Sequence, residues 1–295
     1  MRLGVDFGGT KIEAALLDSK GEIVARERVP NPGEYRAAVQ ALAGLTGAVE
    51  QKAGARAKAV GVAMPGTLSP VTGMVRNSNS VWLNGKPFLE DLTAALARPV
   101  RVENDANCFA LSEAVDGAAA GARVVFGIII GTGCGGGVVV DRKVVQGVNF
   151  IGGEWGHMPL PWRRADEAPV QDWCGRWDCL EQWISGTGFK RWAGMSAGDA
   201  YKAALAGDAR ALALLDELSD RIARACAVVM DILDPDVFVF GGGVSNVDWL
   251  YPAIQGKLMA YAFTDIIKTK VLKNLHGESS GVRGAAWLFT PEEVA

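Results

Sequence analysis

Gly4-Val5-Asp6-Phe7-Gly8-Gly9-Thr10-Lys11 stands at the head of the chain, and its design returns at Ile129-Ile130-Gly131-Thr132-Gly133-Cys134-Gly135-Gly136-Gly137. Each time an apolar run enters a glycine-rich turn carrying a Thr, and a second apolar run follows. Glycine lets backbone N–H groups converge on an anion, because no Cβ blocks the approach and positive φ is open to it. Taken singly, each stretch reads as a tight hairpin in a β-rich protein. The pair reads differently, because Asp6 sits where a carboxylate can hold a hydrated Mg2+ beside phosphates. Two such turns predict two lobes gripping one polyphosphate.

At 295 residues the chain is long for one core, so two domains are expected. Hydrophobic residues make up 49% and charged residues 21%, as in a soluble globular protein. A net charge of −3 argues against a large nucleic-acid footprint. The longest apolar runs, such as residues 124–130, are too short to span a bilayer, so no membrane partner is expected. Met1-Arg2 leads straight into a strand and the glycine turn, which is not a signal-peptide pattern. Five cysteines, an odd number, suggest no disulfide framework, and a cytoplasmic location with reduced thiols is expected.

Periodicity predicts strands at residues 2–6, 12–17 and 23–29, with Asp18-Ser19-Lys20-Gly21 as the turn between the last two. A helix over 34–52, a strand over 59–63, a short hairpin piece over 71–75, a helix over 87–96, a strand over 100–102 and a helix over 106–113 follow. Small residues at 117–121 read as a boundary. Beyond it the order restarts, with strands at 124–130, 137–140 and 143–146. An irregular segment over 147–177 precedes helices at 180–184, 197–205 and 208–233 and a strand at 237–240. Residues 280–289 have helical spacing. Two halves with alike beginnings imply a duplicated α/β architecture, and ligands in such folds sit where loops of both halves face each other.

Three constellations carry chemistry. Glu103-Asn104-Asp105-Ala106-Asn107 lies between a strand and a helix, where Asp105 serves either as a catalytic carboxylate or as a helix cap. Gly153-Glu154-Trp155-Gly156-His157 sets a carboxylate and an imidazole three residues apart, upstream of Cys174, Cys179 and Glu181. That spacing fits a structural zinc weakly, and buried thiols beside a core histidine equally. Gly241-Gly242-Gly243 follows a strand and offers either a flat seat for adenosine or a plain strand-to-helix turn.

Together these residues resemble the ROK family of sugar kinases (repressors, open reading frames, kinases), within the actin/hexokinase-like ATPase superfamily. Asp6 to Lys11, Met64-Pro65-Gly66, Glu103 to Asn107, Ile130 to Gly133, Gly153 to His157 and Cys174-Gly175 through Cys179-Leu180-Glu181 carry the resemblance, in family order and across nearly the whole chain. The stretches Asn77-Ser78-Asn79-Ser80-Val81-Trp82-Leu83-Asn84-Gly85-Lys86-Pro87-Phe88, 112–121 and 279–288 are similar to the bacterial fructokinase/mannokinase branch, and N-acetylglucosamine kinases share much of this.

The resemblance implies a two-domain fold with a duplicated core and an interdomain cleft: residues 1–117, residues 118–279, and a helix within 280–295 packed back on the first domain. It implies ATP-dependent phosphorylation of a hexose at its 6-hydroxyl, fructose first and mannose or glucose beside it. The same-family alternatives are an N-acetylglucosamine kinase and a glucokinase. Asp105 matches the catalytic base; Asn104, Glu154, His157 and Glu181 match sugar ligands, with Gly66 and Asn79 near the sugar. Asp6, Gly8, Gly9, Thr10 and Lys11 match the first phosphate loop with Mg2+, Thr132 and Gly133 the second, and Gly242 and Gly243 the adenosine side. The family's zinc segment reads Cys-x-Cys-Gly-x-x-Gly-Cys, whereas Asp172 and Asp178 stand here at the first Cys and last Gly. The implied zinc shell is therefore His157, Cys174 and Cys179, with Asp172 as the fourth group. A homodimer is compatible with the family. A sugar-sensing repressor is the alternative of another class. Family repressors carry an N-terminal helix-turn-helix, for which Asp6 in the phosphate loop leaves no room.

Overall fold

The fold follows from two sheets of like topology, seen in a computed structural model that describes residues 1–294. β1 (Arg2–Phe7), β2 (Lys11–Leu17) and β3 (Ile23–Pro30) form an antiparallel meander, with Arg2 opposite Leu17 and Phe7 opposite Ile12. Helix α1 (Tyr35–Ala53) begins where the Glu34 carboxylate accepts from the amides of Arg36 and Ala37, and ends at Gly54 with φ 61°. Its buried positions Ala38, Leu42, Leu45 and Val49 recur at helical spacing and face the sheet core. β4 (Val60–Met64) is wholly buried and parallel to β1. A small hairpin of β5 (Thr67–Leu68) and β6 (Val75–Arg76) comes next, then α2 (Phe88–Leu96), β7 (Val100–Asn104) and α3 (Asp105–Val115). The first sheet runs β3-β2-β1-β4-β7.

The second sheet repeats this plan. β8 (Val124–Ile130), β9 (Cys134–Val140) and β10 (Lys143–Val144) lead into α4 (Glu181–Ile184), α5 (Gly186–Ala193), α6 (Ala197–Leu205) and α7 (Ala209–Leu233). β11 (Val237–Gly241), α8 (Leu250–Lys257) and β12 (Lys270–Lys273) complete it, in the order β10-β9-β8-β11-β12. β8 and β9 are antiparallel, and β11 is parallel to β8 and β12. The last helices are α9 (Ser280–Ala286) and α10 (Pro291–Val294).

The chain divides into two compact units. Unit 1 is Met1–Asp116 with Val144–Gly152 and Glu278–Ala295, and unit 2 is Gly117–Lys143 with Gly153–Gly277. The excursion Val144–Gly152 departs from the continuous second domain that the sequence suggests. Hydrogen bonds explain it: Gln146 Nε2 donates to Glu103 and Arg76 to the Asn149 carbonyl. They also shorten the strand expected over 143–146 to Lys143–Val144.

Within unit 1, α9 lies directly on β1, β4 and α3. A Cβ on Gly4 would stand 2.0 Å from the Val282 carbonyl oxygen, one on Gly61 1.7 Å from that of Ala285, and one on Gly284 1.7 Å from that of Cys108. Backbones meet here without side chains between them. Polar bonds fix the ends: Ser280 Oγ donates to Glu113 Oε1 at 2.8 Å and Trp287 Nε1 to Asp116 Oδ2 at 3.1 Å. Among the described residues no helix is long and apolar enough to cross a membrane.

Candidate functional site

In unit 1 the first glycine turn joins β1 to β2. Asp6 is the last residue but one of the buried strand, while Gly9, Thr10 and Lys11 are exposed at the tip. Burial, then the neighbouring Asp105 and Glu13 carboxylates, push the Asp6 carboxyl up to about 6, against Lys11 and Arg28. Asp6 and Asp105 thus set two carboxylates close enough to repel each other, a charge that a divalent cation would relieve. Neither Gly8 nor Gly9 adopts positive φ, so the turn does not use the left-handed freedom of glycine. Close approach is what counts: a Cβ on Gly8 would lie 3.0 Å from the Lys11 carbonyl oxygen and one on Gly9 3.3 Å from Ser80 Oγ.

Asn104 settles which residue caps α3. Its Oδ1 accepts from the amides of Ala106 and Asn107, and its Nδ2 donates to the Gly66 carbonyl at 3.1 Å. Asp105 is the next residue, the first of the helix, and is exposed. The capping role thus falls to Asn104, and Asp105 stands at the carboxyl end of β7, near enough to Asp6 to raise its pKa. Gly66 has φ +82°, and a Cβ there would meet the Arg76 carbonyl oxygen at 2.6 Å and the Ser78 amide at 2.7 Å. Asn84 braces the same loop with two bonds to the Ser78 backbone, and Asn79 is exposed beside it. Glu103 was not singled out by the sequence. It is buried, so its carboxyl is raised, yet it accepts from Asn104 N, Asn107 Nδ2 and Gln146 Nε2.

In unit 2, Gly131-Thr132-Gly133 turns β8 into β9, and Thr132 is exposed. The glycines that follow are paired strand rather than turn. Gly136 is small because the Trp155 ring and the Gly153 carbonyl lie where its Cβ would be, at 2.8 and 2.9 Å. Trp155 Nε1 donates to the Gly135 carbonyl, and a Cβ on Gly156 would fall 2.0 Å from the Cys134 carbonyl oxygen. This packing lays Glu154 and His157 along β9. Glu181, the first residue of α4, reaches the same strand: its Oε2 accepts from Cys134 N at 2.9 Å and its Oε1 from Trp173 Nε1 at 2.7 Å. Gly133 leaves the room, since a Cβ there would lie 2.5 Å from Glu181 Oε2. Gly242, with φ +83°, abuts Ile130 and Gly131, and Gly243 beside it has open space. Unit 2 thus brings Glu181 to Gly133 and Gly242 to the Gly131 turn that carries Thr132, with Glu154 and His157 on the segment that packs against β9.

His157, Asp172, Cys174 and Cys179 also converge, with one ligand atom from each within 4.8 Å of the others. The two sulfurs are 3.7 Å apart. Two thiolates on one tetrahedral zinc, with Zn–S about 2.3 Å, would be about 3.8 Å apart. His157 Nδ1 is buried without a hydrogen-bond partner, 3.4 Å from Asp172 Oδ2. Burial and the neighbouring Cys174 and Asp172 push the Cys179 thiol up to about 12. Burial opposes ionisation of Asp172, but bonds from Cys174 and Gln182 outweigh it and lower its carboxyl pKa. An orphaned imidazole nitrogen, two facing sulfurs and an ionised carboxylate fit a zinc shell.

The ROK family model matches residues 2–292. The chain belongs to the ROK family. It is 38% identical over 300 residues to an N-acetyl-D-glucosamine kinase of Vibrio vulnificus, covering 98% of this chain and 99% of the relative. A ROK hexokinase from Thermus thermophilus superposes with a TM-score of 0.86 at 30% identity, covering 99% of this chain and 98% of that one. A ROK glucokinase from Streptomyces griseus, solved with glucose and AMPPNP, has a TM-score of 0.77 at 27% identity, with 97% of each chain covered. The actin/hexokinase-like architecture with its duplicated core is therefore that of ROK sugar kinases.

Proposed function

We propose that this chain is an ATP-dependent N-acetylglucosamine 6-kinase. The observation that carries the substrate is the 38% identity, along almost the full chain, to proteins of that name. It favours the acetamido sugar over the fructose preference suggested by residues 77–88 and 112–121. In this reading Asp105 accepts the proton of the 6-hydroxyl as its oxygen bonds to the γ-phosphorus and the bond to the β–γ bridging oxygen breaks, releasing ADP. Asn104, Glu154, His157 and Glu181 hold ring hydroxyls, with Gly66 and Asn79 beside them. Asn104 has one amide hydrogen left for this after binding Gly66. Gly8, Gly9, Thr10, Lys11, Thr132 and Gly133 hold phosphates, and Gly242 and Gly243 take the adenosine. Asp6 would hold Mg2+, which neutralises phosphate charge when bound.

Two measurements test this reading. Comparing kcat/KM for N-acetylglucosamine, glucose, mannose and fructose is expected to place N-acetylglucosamine first. A clear advantage for fructose would restore the other branch. The reading also gives His157, Asp172, Cys174 and Cys179 a structural zinc that fixes the imidazole through Nδ1. Elemental analysis of protein purified without chelator is expected to find close to one zinc per chain. Less than about a tenth of an equivalent with full activity removes the metal, since a shell lacking one thiolate binds more weakly.

A further inference from the structure

Trp173 sits at the tip of a tight turn, where Gly175 N donates to the Asp172 carbonyl and Asp172 N to that of Arg176. The residue is 69% exposed. The one polar atom of its indole is already satisfied, since Nε1 donates to Glu181 Oε1. The ring thus has no polar atom left to offer, only carbon. The ring also meets the His157 imidazole edge-on, with centroids 5.5 Å apart at 76°. Exposure alone would say nothing, since Trp162, Trp177 and Phe263 are exposed too. What sets Trp173 apart is that its ring stands against both Glu181 and His157, where a ring face can pack on a ligand carbon.

We propose that Trp173 is a specificity-determining residue, whose indole walls the sugar subsite of Glu181 and His157 and gives an acetamido methyl group its apolar contact. The proposal rests on the reading of Glu181 and His157 as sugar ligands. Among the hexoses considered, the 2-acetamido sugar alone carries a methyl group, and a methyl gains from ring carbon what a bare hydroxyl does not. The indole acts in two ways here. Its N–H aims the Glu181 carboxylate together with Cys134 N, and its face selects what lies next to that carboxylate.

The two actions separate by mutation. Trp173→Ala removes both donor and face; Trp173→Phe removes the donor and keeps most of the face. Trp173→Ala is expected to lower the N-acetylglucosamine-to-glucose ratio of kcat/KM about tenfold, mainly by raising KM for the acetamido sugar. Trp173→Phe is expected to keep that ratio within about threefold of the unmodified protein. Equal losses on both sugars, falling on kcat, would mean that Trp173 only supports Glu181, and would overturn the proposal. Should the unmodified protein fail to prefer N-acetylglucosamine, the functional reading falls separately. The wall is then tested by titrating its best hexose and following tryptophan fluorescence. A sugar-dependent change that disappears in Trp173→Phe supports the wall, and an identical change in both proteins refutes it.

Discussion

Asp105→Asn is expected to lower kcat by at least about 10²-fold while the sugar still binds. The structure makes this substitution informative. A carboxylate at a helix start ordinarily invites the objection that its loss uncaps the helix. Here Asn104 performs the capping, with its side chain on the amides of Ala106 and Asn107. Asp105 Oδ1 accepts from its neighbour Ala106 N at 2.8 Å, and an asparagine oxygen can keep that bond. What the variant loses is the negative charge and the proton acceptor. Base loss acts on the transition state and leaves ground-state sugar contacts in place, so kcat falls and the sugar dissociation constant does not. Steady-state rates beside equilibrium titration of the sugar check both halves. Near-normal turnover in a folded variant would sink the assignment of Asp105 as base.

The sequence made the sheets legible because their strands are apolar and punctuated. The run 124–130 is strand from end to end, and the two glycine turns fall where β1 and β8 end. It was less legible where small residues serve contacts distant in sequence. Gly135 and Gly136 read as turn and are strand; at Gly136 the Trp155 ring fills the space a Cβ would take. Helix α5 escaped notice because Gly186 and Gly188 obscure its pattern; those glycines make room for the carbonyls of Gly131 and Gln182. α8 and the short edge strand β12 likewise carry too weak a pattern to announce themselves. The candidate site was legible where a residue's chemistry is its own signature, as at Asp6, Asp105 and the His157, Cys174 and Cys179 set. It was not legible where a role depends on a fold contact. Glu103 matters through Gln146, 43 residues away, and Trp173 through Glu181 and His157. For Trp173 a signal existed, since the residue stands between two candidate metal ligands.

Gly61→Ala is expected to destabilise unit 1 by about 3 kcal/mol, near the upper end for overpacking. The added methyl would stand 1.7 Å from the Ala285 carbonyl oxygen and 2.6 Å from its carbon. These are backbone atoms, so no side chain can rotate away and α9 itself must lift. It is poorly free to do so, because Gly4 meets Val282 and Gly284 meets Cys108 at similar range. Gly47→Ala makes the same chemical change in α1, where a Cβ would have nothing within 4 Å. There the gain in helix propensity is expected to stabilise by about 0.5–1 kcal/mol. Opposite shifts in the denaturation midpoint for one methyl group at two sites are the expected result. The lift should also reach the first phosphate loop, since a Cβ on Gly281 in α9 would lie only 2.9 Å from Asp6 Oδ2. Moving α9 disturbs the surroundings of that carboxylate, so Gly61→Ala should raise KM for the nucleotide as well as lower the midpoint. An unchanged midpoint would show that α9 does not rest on the β4 backbone in solution.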